Sequence, residues 1–251
     1  MSVLRWALQA VQWLALQLML VLLGLGSLLW NAVAVLLYRL LPLATGRRIG
    51  RAAIAAGYRV FWTLARLAGM VRLHADVLDS LRDEPGLIIV ANHPSMLDAM
   101  MLVARLPRSV CIMKASLLRS PFLGPGARLA RYIRNDSACG LVRMAVADLQ
   151  LGGQLVIFPE GTRTTLSPVN PFRSGVTLIA KLARAPIQTV FIDTHSPYLC
   201  KGWPLWRLPP LPIVFSVRLG QRFAPGENYA AQLQELQAYF SAGVRQAAAV
   251  P

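Results

Sequence analysis

Between Arg5 and Arg39 the chain carries no charged residue, and this uncharged run, Ala7 to Tyr38, constrains the fold more than any other feature. It exceeds the roughly 20 apolar residues that a bilayer-crossing helix needs, so it predicts a spanning or deeply embedded helix. Gln9, Gln12 and Gln17 dilute its beginning, which leaves Leu14 to Leu37 as the most apolar stretch. The surplus length equally allows a helical hairpin bent within one leaflet. Ala32-Val33-Ala34 has the form of a leader-cleavage site, but the apolar core of a leader is only about 7 to 15 residues, so residues 1–45 are expected to persist as a membrane anchor. Arg39, Arg47, Arg48 and Arg51 follow the run and only Arg5 precedes it. The positive-inside rule then puts the remaining chain on the cytoplasmic side of the inner membrane.

In 251 residues there is room for one sizeable core besides the anchor. Residues 46–80 read as a basic amphipathic helix and linker: between Gly50 and Met70, Ile54, Tyr58, Phe61, Trp62 and Ala65 recur with Arg51, Arg59 and Arg66 among them. Such a helix suits either a membrane surface or the flank of a domain. The net charge of +15 comes from 26 basic and 11 acidic residues, with only Lys114, Lys181 and Lys201 as lysines. Beside an anchor, that charge favours anionic headgroups. A nucleic-acid partner is not expected, because no basic run interleaved with aromatics is present. Cys111, Cys139 and Cys200 lack metal-ligand spacing, and no metal or other cofactor is expected.

Residues 81–251 alternate short apolar runs with helical patterns. Strands are predicted at 87–91, 110–113, 155–158, 187–192 and 213–219, and helices at 99–106, 141–151, 176–182 and 229–246. This alternation implies an α/β fold, a mixed and largely parallel sheet flanked by helices. Ser196 to Pro212, "SPYLCKGWPLWRLPPLP", is rich in Pro and Trp and reads as a loop packed on the domain or dipping into the interface.

The first predicted strand runs into "ANHPSMLD", Ala91 to Asp98. Five residues separate His93 from Asp98, which places the two side chains apart on any regular strand or helix. Pro94 disfavours helix at His93, so a strand-to-helix turn is the context in which they can meet. There, Asp98 could fix one imidazole nitrogen and leave the other to accept a proton, the arrangement of a general base. A structural histidine at a helix start is the competing reading of these residues alone. A second cluster, "FPEGTR", Phe158 to Arg163, follows the run "LVI". Pro159 and Gly161 impose a turn that displays Glu160 and Arg163, either as a local ion pair or as an arginine held ready for phosphate.

"NHPSMLD" and "FPEGTR" resemble the first and third blocks of the glycerolipid acyltransferases, the 1-acylglycerol-3-phosphate acyltransferase family. "MKASLLRSPFLGPG" (113–126), "PFRSG" (171–175) and "APIQTVFI" (185–192) resemble further family segments in the same order. Two positions depart from the pattern: Arg128 stands where the second block has a glycine, and Thr189 where the fourth has a second proline. The resemblance implies a membrane-bound transferase of lipid biosynthesis that moves an acyl group from acyl-CoA or acyl carrier protein to the hydroxyl of a lysophosphatidate-like acceptor. It implies His93 and Asp98 as catalytic residues. It implies substrate binding by Arg134, Glu160, Gly161, Thr162 and Arg163, with Lys114 and Arg173 as additional candidates. No Gly-x-Ser-x-Gly elbow is present, so direct attack of the hydroxyl on the thioester is the simpler scheme. Two alternatives stand beside it: the same transfer to another amphipathic acceptor, and a non-catalytic, anchored module that binds anionic lipid.

Overall fold

The computed structural model describes residues 3–248. Seven strands form one sheet in the order β1-β7-β6-β2-β5-β3-β4: β1 (Val71–His74), β2 (Leu87–Ala91), β3 (Ser109–Met113), β4 (Ile133–Arg134), β5 (Gln154–Ile157), β6 (Ile187–Asp193) and β7 (Ile213–Phe223). All neighbours are parallel except β6 and β7. The mixed, largely parallel sheet is thus the one the sequence implies. The central strand β2 is buried at every position, as Leu87-Ile88-Ile89-Val90-Ala91 requires of a strand covered on both faces.

Helices α1 (Val3–Leu40), α2 (Leu43–Leu67) and α3 (Leu97–Arg105) cover one face, where Leu16, Met19, Trp62 and Met101 join Ile89 and Phe215 in the core. Helices α5 (Ala138–Gln150), α6 (Gly175–Ala183) and α7 (Tyr229–Ala248) cover the other, around Ile88, Val90, Phe191 and Phe240. The short α4 (Gly124–Leu129) lies between β3 and β4.

The apolar run is one unbroken helix rather than a hairpin, and it ends at Leu41-Pro42, where proline cannot continue the hydrogen-bond ladder. One stripe of α1 is docked on the domain. Leu16, Met19, Asn31 and Ala34 are buried, while Leu18, Leu22, Leu25, Leu29 and Leu36 are exposed. The polar residues of the run serve this docking. Asn31 donates to Phe122 O and accepts from the Gly126 N–H, each at 2.7 Å, and Ser27 also donates to Phe122 O. Gly126 is required here because a Cβ would collide with the Trp30 indole.

Residues 46–80 do more than link. Arg51, buried in α2, forms a two-armed pair with Asp148 of α5 at 2.6 and 3.1 Å and also donates to Ala130 O and Arg108 O. The stretch expected as linker contributes β1, the edge strand beside β7, and a 3-10 turn at Asp76–Leu81. β1 and the two-residue β4 escape sequence reading because both are too short to show a period.

Candidate active site

β2, β5, β3 and β4 are parallel, so the turns that follow them open on the same edge of the sheet. Ligands of open α/β sheets bind at this carboxyl edge. His93 and Asp98 meet there. β2 ends at Ala91, α3 starts at Leu97, and the intervening turn brings His93 Nδ1 to 2.9 Å from Asp98 Oδ2. The same oxygen accepts the Ser95 N–H at 2.8 Å. The His93 ring stacks on Phe158 at 4.0 Å between centroids and 18° between planes. Held at one nitrogen and across one face, the ring presents Nε2 with no protein partner among the described residues.

Asp98 is wholly buried, whereas the His93 side chain keeps 17% exposure. Burial pushes the Asp98 carboxyl up from 3.8 to about 6, against the opposite pull of the His93 and Ser95 hydrogen bonds. Its Oδ1 has no partner, which adds to the cost of charge at this position.

The turn is built on hydrogen bonds that the two motifs only partly reveal. Asn92 extends the ladder past the end of β2 by donating to Ile192 O and accepting from the Ile192 N–H, both at 2.8 Å. Glu160 is buried and fully engaged. Oε1 accepts from the His93 N–H at 3.1 Å and the Thr164 hydroxyl at 2.7 Å, and Oε2 accepts from the Asn170 N–H at 2.8 Å. The Thr164 N–H in turn donates to His93 O at 2.7 Å. Glu160 thus ties the β5 turn to the backbone of the His93 turn. Phe158, Thr164 and Asn170 were not singled out as site residues in the sequence; Thr164 lies one residue past "FPEGTR" and Asn170 just before "PFRSG".

The candidate cations separate clearly. Arg163 makes no pair with Glu160; its Nη1 donates to Leu199 O at 2.8 Å and Cys200 O at 2.9 Å. Arg134 lies on outermost β4, facing Asp136 at 3.5 Å, and three strand spacings, about 14 Å, separate β4 from β2. Lys114, one residue past β3, is exposed, two spacings or about 10 Å from β2. Arg173 is closer. Its N–H donates to Pro159 O at 2.8 Å, and its side chain lies over Gly161, where a Cβ would strike the guanidinium and φ is +69°. Neither Lys114 nor Arg173 makes a side-chain hydrogen bond or ion pair among the described residues. Thr162 is exposed beside Gly161.

Residues 72–193, which hold both turns and the carboxyl edge between them, match the family model described as Acyltransferase. This segment is an acyltransferase-family domain. The chain is 36% identical over 126 residues to human 1-acyl-sn-glycerol-3-phosphate acyltransferase beta, covering 44% of this chain and 42% of that protein. It is 33% identical over 116 residues to the coconut (Cocos nucifera) 1-acyl-sn-glycerol-3-phosphate acyltransferase, covering 43% and 38%. The match therefore spans about two fifths of each of these relatives. The 1-acyl-sn-glycerol-3-phosphate acyltransferase of Pseudomonas aeruginosa aligns more broadly, at 24% identity over 72% of both chains. The fold is that of the crystallised 1-acyl-sn-glycerophosphate acyltransferase PlsC from Thermotoga maritima, with TM-score 0.70, 19% identity and 96% of each chain covered. The matched segment begins at Arg72, within β1.

The two departures from the family pattern have local explanations. Thr189 is buried in β6, where it donates to Gln221 O at 2.7 Å beside a register shift against β7. Arg128 donates to Leu118 O at 2.7 Å and pins the 3-10 turn at Ala115–Arg119 to α4.

Proposed function

We propose that the protein transfers an acyl group from an acyl-CoA or acyl carrier protein thioester to the hydroxyl of a lysophosphatidate-like acceptor at a membrane surface. The observation that carries this reading is the His93–Asp98 pair, with Nε2 free at the carboxyl edge of the sheet. Ionised Asp98 accepts a hydrogen bond from Nδ1–H and fixes the tautomer, so Nε2 can take the acceptor's hydroxyl proton as the oxygen attacks the thioester carbonyl. The tetrahedral intermediate then collapses with loss of the thiolate, which needs less acid assistance than an alkoxide. Glu160 keeps His93 in place through its backbone.

The acceptor's phosphate is assigned to Arg173 and Lys114, cations beside this edge whose side chains make no hydrogen bond or ion pair among the described residues. Arg134 is more distant, and Arg163 already gives Nη1 to two carbonyls. No further cofactor enters the scheme.

The seating on the membrane follows from α1 and α2. The docked stretch of α1, Leu16 to Ala34, is about 27 Å long, so that length of helix has protein rather than lipid on one side. Alongside its outer leucines, Ile49, Val60, Leu64 and Leu67 of α2 are exposed as well. Arg48, Arg59 and Arg66 line up along the flank of the α2 stripe, at spacings of eleven and seven residues that return to one side of the helix. Apolar faces below an arginine row fit helices lying in the plane of one leaflet, with the arginines at phosphate depth. The leaflet is the cytoplasmic one of the inner membrane.

The test is purified full-length protein with one acyl thioester and a panel of lysophosphatidate, other lysophospholipids and neutral long-chain alcohols. Transfer preferring phosphate-bearing acceptors and lost in His93→Ala is the expected result. Equal turnover of neutral alcohols removes the phosphate assignment. A fully active His93→Ala removes the mechanism.

A further inference from the structure

The edge of the sheet opposite the His93 turn carries a second concentration of charge. Gly152 and Gly153 lead into β5, Pro107 and Arg108 lead into β3, and between these turns and the start of α2 lies a cleft of about 530 Å³. From Gly153 to Phe158, the residue stacked on His93, the chain runs five residues along β5, about 17 Å. Arg47, Arg48, Arg51 and Arg108 all line the cleft.

Packing fixes these guanidinium groups without cancelling their charge. Arg51 and Arg47 share one carboxylate, that of Asp148, with Arg47 Nη1 at 3.2 Å from Oδ1. Arg108 gives Nη1 to a backbone carbonyl, Asp83 O, at 2.9 Å. Exposed Arg48 makes no side-chain hydrogen bond or ion pair among the described residues. Besides Asp148, Asp83 is the one acidic residue at the cleft, so four cations meet two anions and positive charge is left over in a concave site. Gly50 holds α2 close enough for this, because a Cβ there would come within 2.7 Å of the Ala130 nitrogen.

The rim is apolar. Leu151 lines the cleft at 68% exposure, and Leu40 and Leu43, at the corner between α1 and α2, are exposed as well. None of the lining residues is aromatic, so the cleft offers no platform for a nucleotide base. Cations bordered by exposed leucines match an amphiphile with an anionic head. We propose that this cleft binds the phosphate of an anionic phospholipid, with Arg48 and Arg108 as direct ligands and the acyl chains against Leu151, Leu43 and Leu40. The site lies on the other edge of the sheet from the acyl-transfer chemistry, and its occupancy is read by binding rather than by turnover.

The test uses full-length protein in uncharged detergent, where the seating of α1 in a bilayer plays no part. Short-chain phosphatidylglycerol, phosphatidylcholine with the same chains and inorganic phosphate are titrated in turn, with bound lipids counted by native mass spectrometry and affinities taken from the rise in melting temperature. One phosphatidylglycerol per chain is expected, held at least about tenfold more tightly than phosphatidylcholine. Arg48→Gln and Arg108→Gln should each weaken it at least about tenfold, the loss of a charge-assisted hydrogen bond. Because Arg48 is exposed, its variant should melt at the wild-type temperature when no lipid is added. Arg173→Gln, at the carboxyl edge, should bind phosphatidylglycerol as wild type does. Equal affinity for phosphatidylcholine, or unchanged binding in both the Arg48 and Arg108 variants, would overturn the proposal. Loss of binding in Arg173→Gln alone would refute it as well, by placing the lipid at the carboxyl edge. Inorganic phosphate that stabilises the protein at the same concentrations as phosphatidylglycerol would end the lipid assignment and leave a plain phosphate site. Phosphatidylglycerol binding of the expected kind in a protein without acyltransferase activity would end the acyl-transfer reading and leave the cleft standing.

Discussion

Asp98 is an ionisable group without water, and its burial has two opposite consequences. In the proposed scheme ionised Asp98 makes His93 a base; buried, it resists ionisation, with its carboxyl pushed up to about 6 from 3.8. Because the folded value lies above the unfolded one, the stability tied to this group is full below about pH 4 and is lost as pH rises through about 6. Replacement of Asp98 by Asn should therefore flatten the fall in stability over that window, relative to wild type, by on the order of 3 kcal/mol. Denaturant titrations at pH 4 and pH 8 measure this. The same variant should lose activity by at least about a hundredfold, since the Asn amide would donate to Nδ1 and leave Nε2 carrying the proton. In wild type, kcat/KM should rise with pH through about 6 as the Asp98 carboxyl ionises. His93→Ala should lose at least about a hundredfold in kcat with little change in melting temperature. Arg173→Ala and Lys114→Ala should each raise acceptor KM roughly ten- to a hundredfold, the loss of one charge-assisted hydrogen bond, with thioester KM nearly unchanged.

At the scale of elements, α2 holds the sheet to the layer that carries α1. Arg51 and Asp148 are nearly removed from water and paired through two hydrogen bonds. Arg51→Met leaves the buried Asp148 carboxylate with only the partly exposed Arg47, at 3.2 Å, so a loss approaching, but below, the roughly 3 to 5 kcal/mol of a fully unpaired buried charge is expected in denaturant titrations. Arg51→Met with Asp148→Leu should recover most of it, because apolar pairs of similar volume often replace buried ion pairs without cost. Gly126→Val tests the seat of α1: the side chain would enter the space of the Trp30 indole. It should release the carboxyl half of α1 from α4 and expose that segment to protease, while β2 and the His93 turn keep their protection in hydrogen exchange.

For the whole molecule, in-plane seating predicts a depth pattern that a spanning helix cannot produce. Trp6, Trp13 and Trp206 are all exposed on the α1 side. In vesicles of brominated lipid they should be quenched at similar shallow depths from one leaflet. Single cysteines placed at Leu8 and Leu40, in a background lacking Cys111, Cys139 and Cys200, should both react with an impermeant reagent added from the same side. Protection of only one end would show that α1 crosses the bilayer.

The sequence by itself determined the apolar helix, the alternation that makes a mixed sheet, and the two turns carrying His93, Asp98 and Glu160. Each of these is written in local pattern: an uncharged run, a period, or a proline between a strand and a helix. Its blind spots were the contacts between distant segments. Five residues of spacing leave open whether His93 meets Asp98; a 2.9 Å contact exists because the β5 turn, through Glu160 and Phe158, holds the β2 turn in one shape. Arg163 and Arg173 look equivalent as letters, yet Nη1 of the first is engaged by two carbonyls 36 and 37 residues away, whereas the side chain of the second makes no hydrogen bond or ion pair among the described residues. Asn31 and Ser27, polar side chains within the apolar run, lie on its docking face. Local order follows from what each residue prefers, whereas the availability of a charge depends on which backbone polar groups the fold brings within its reach.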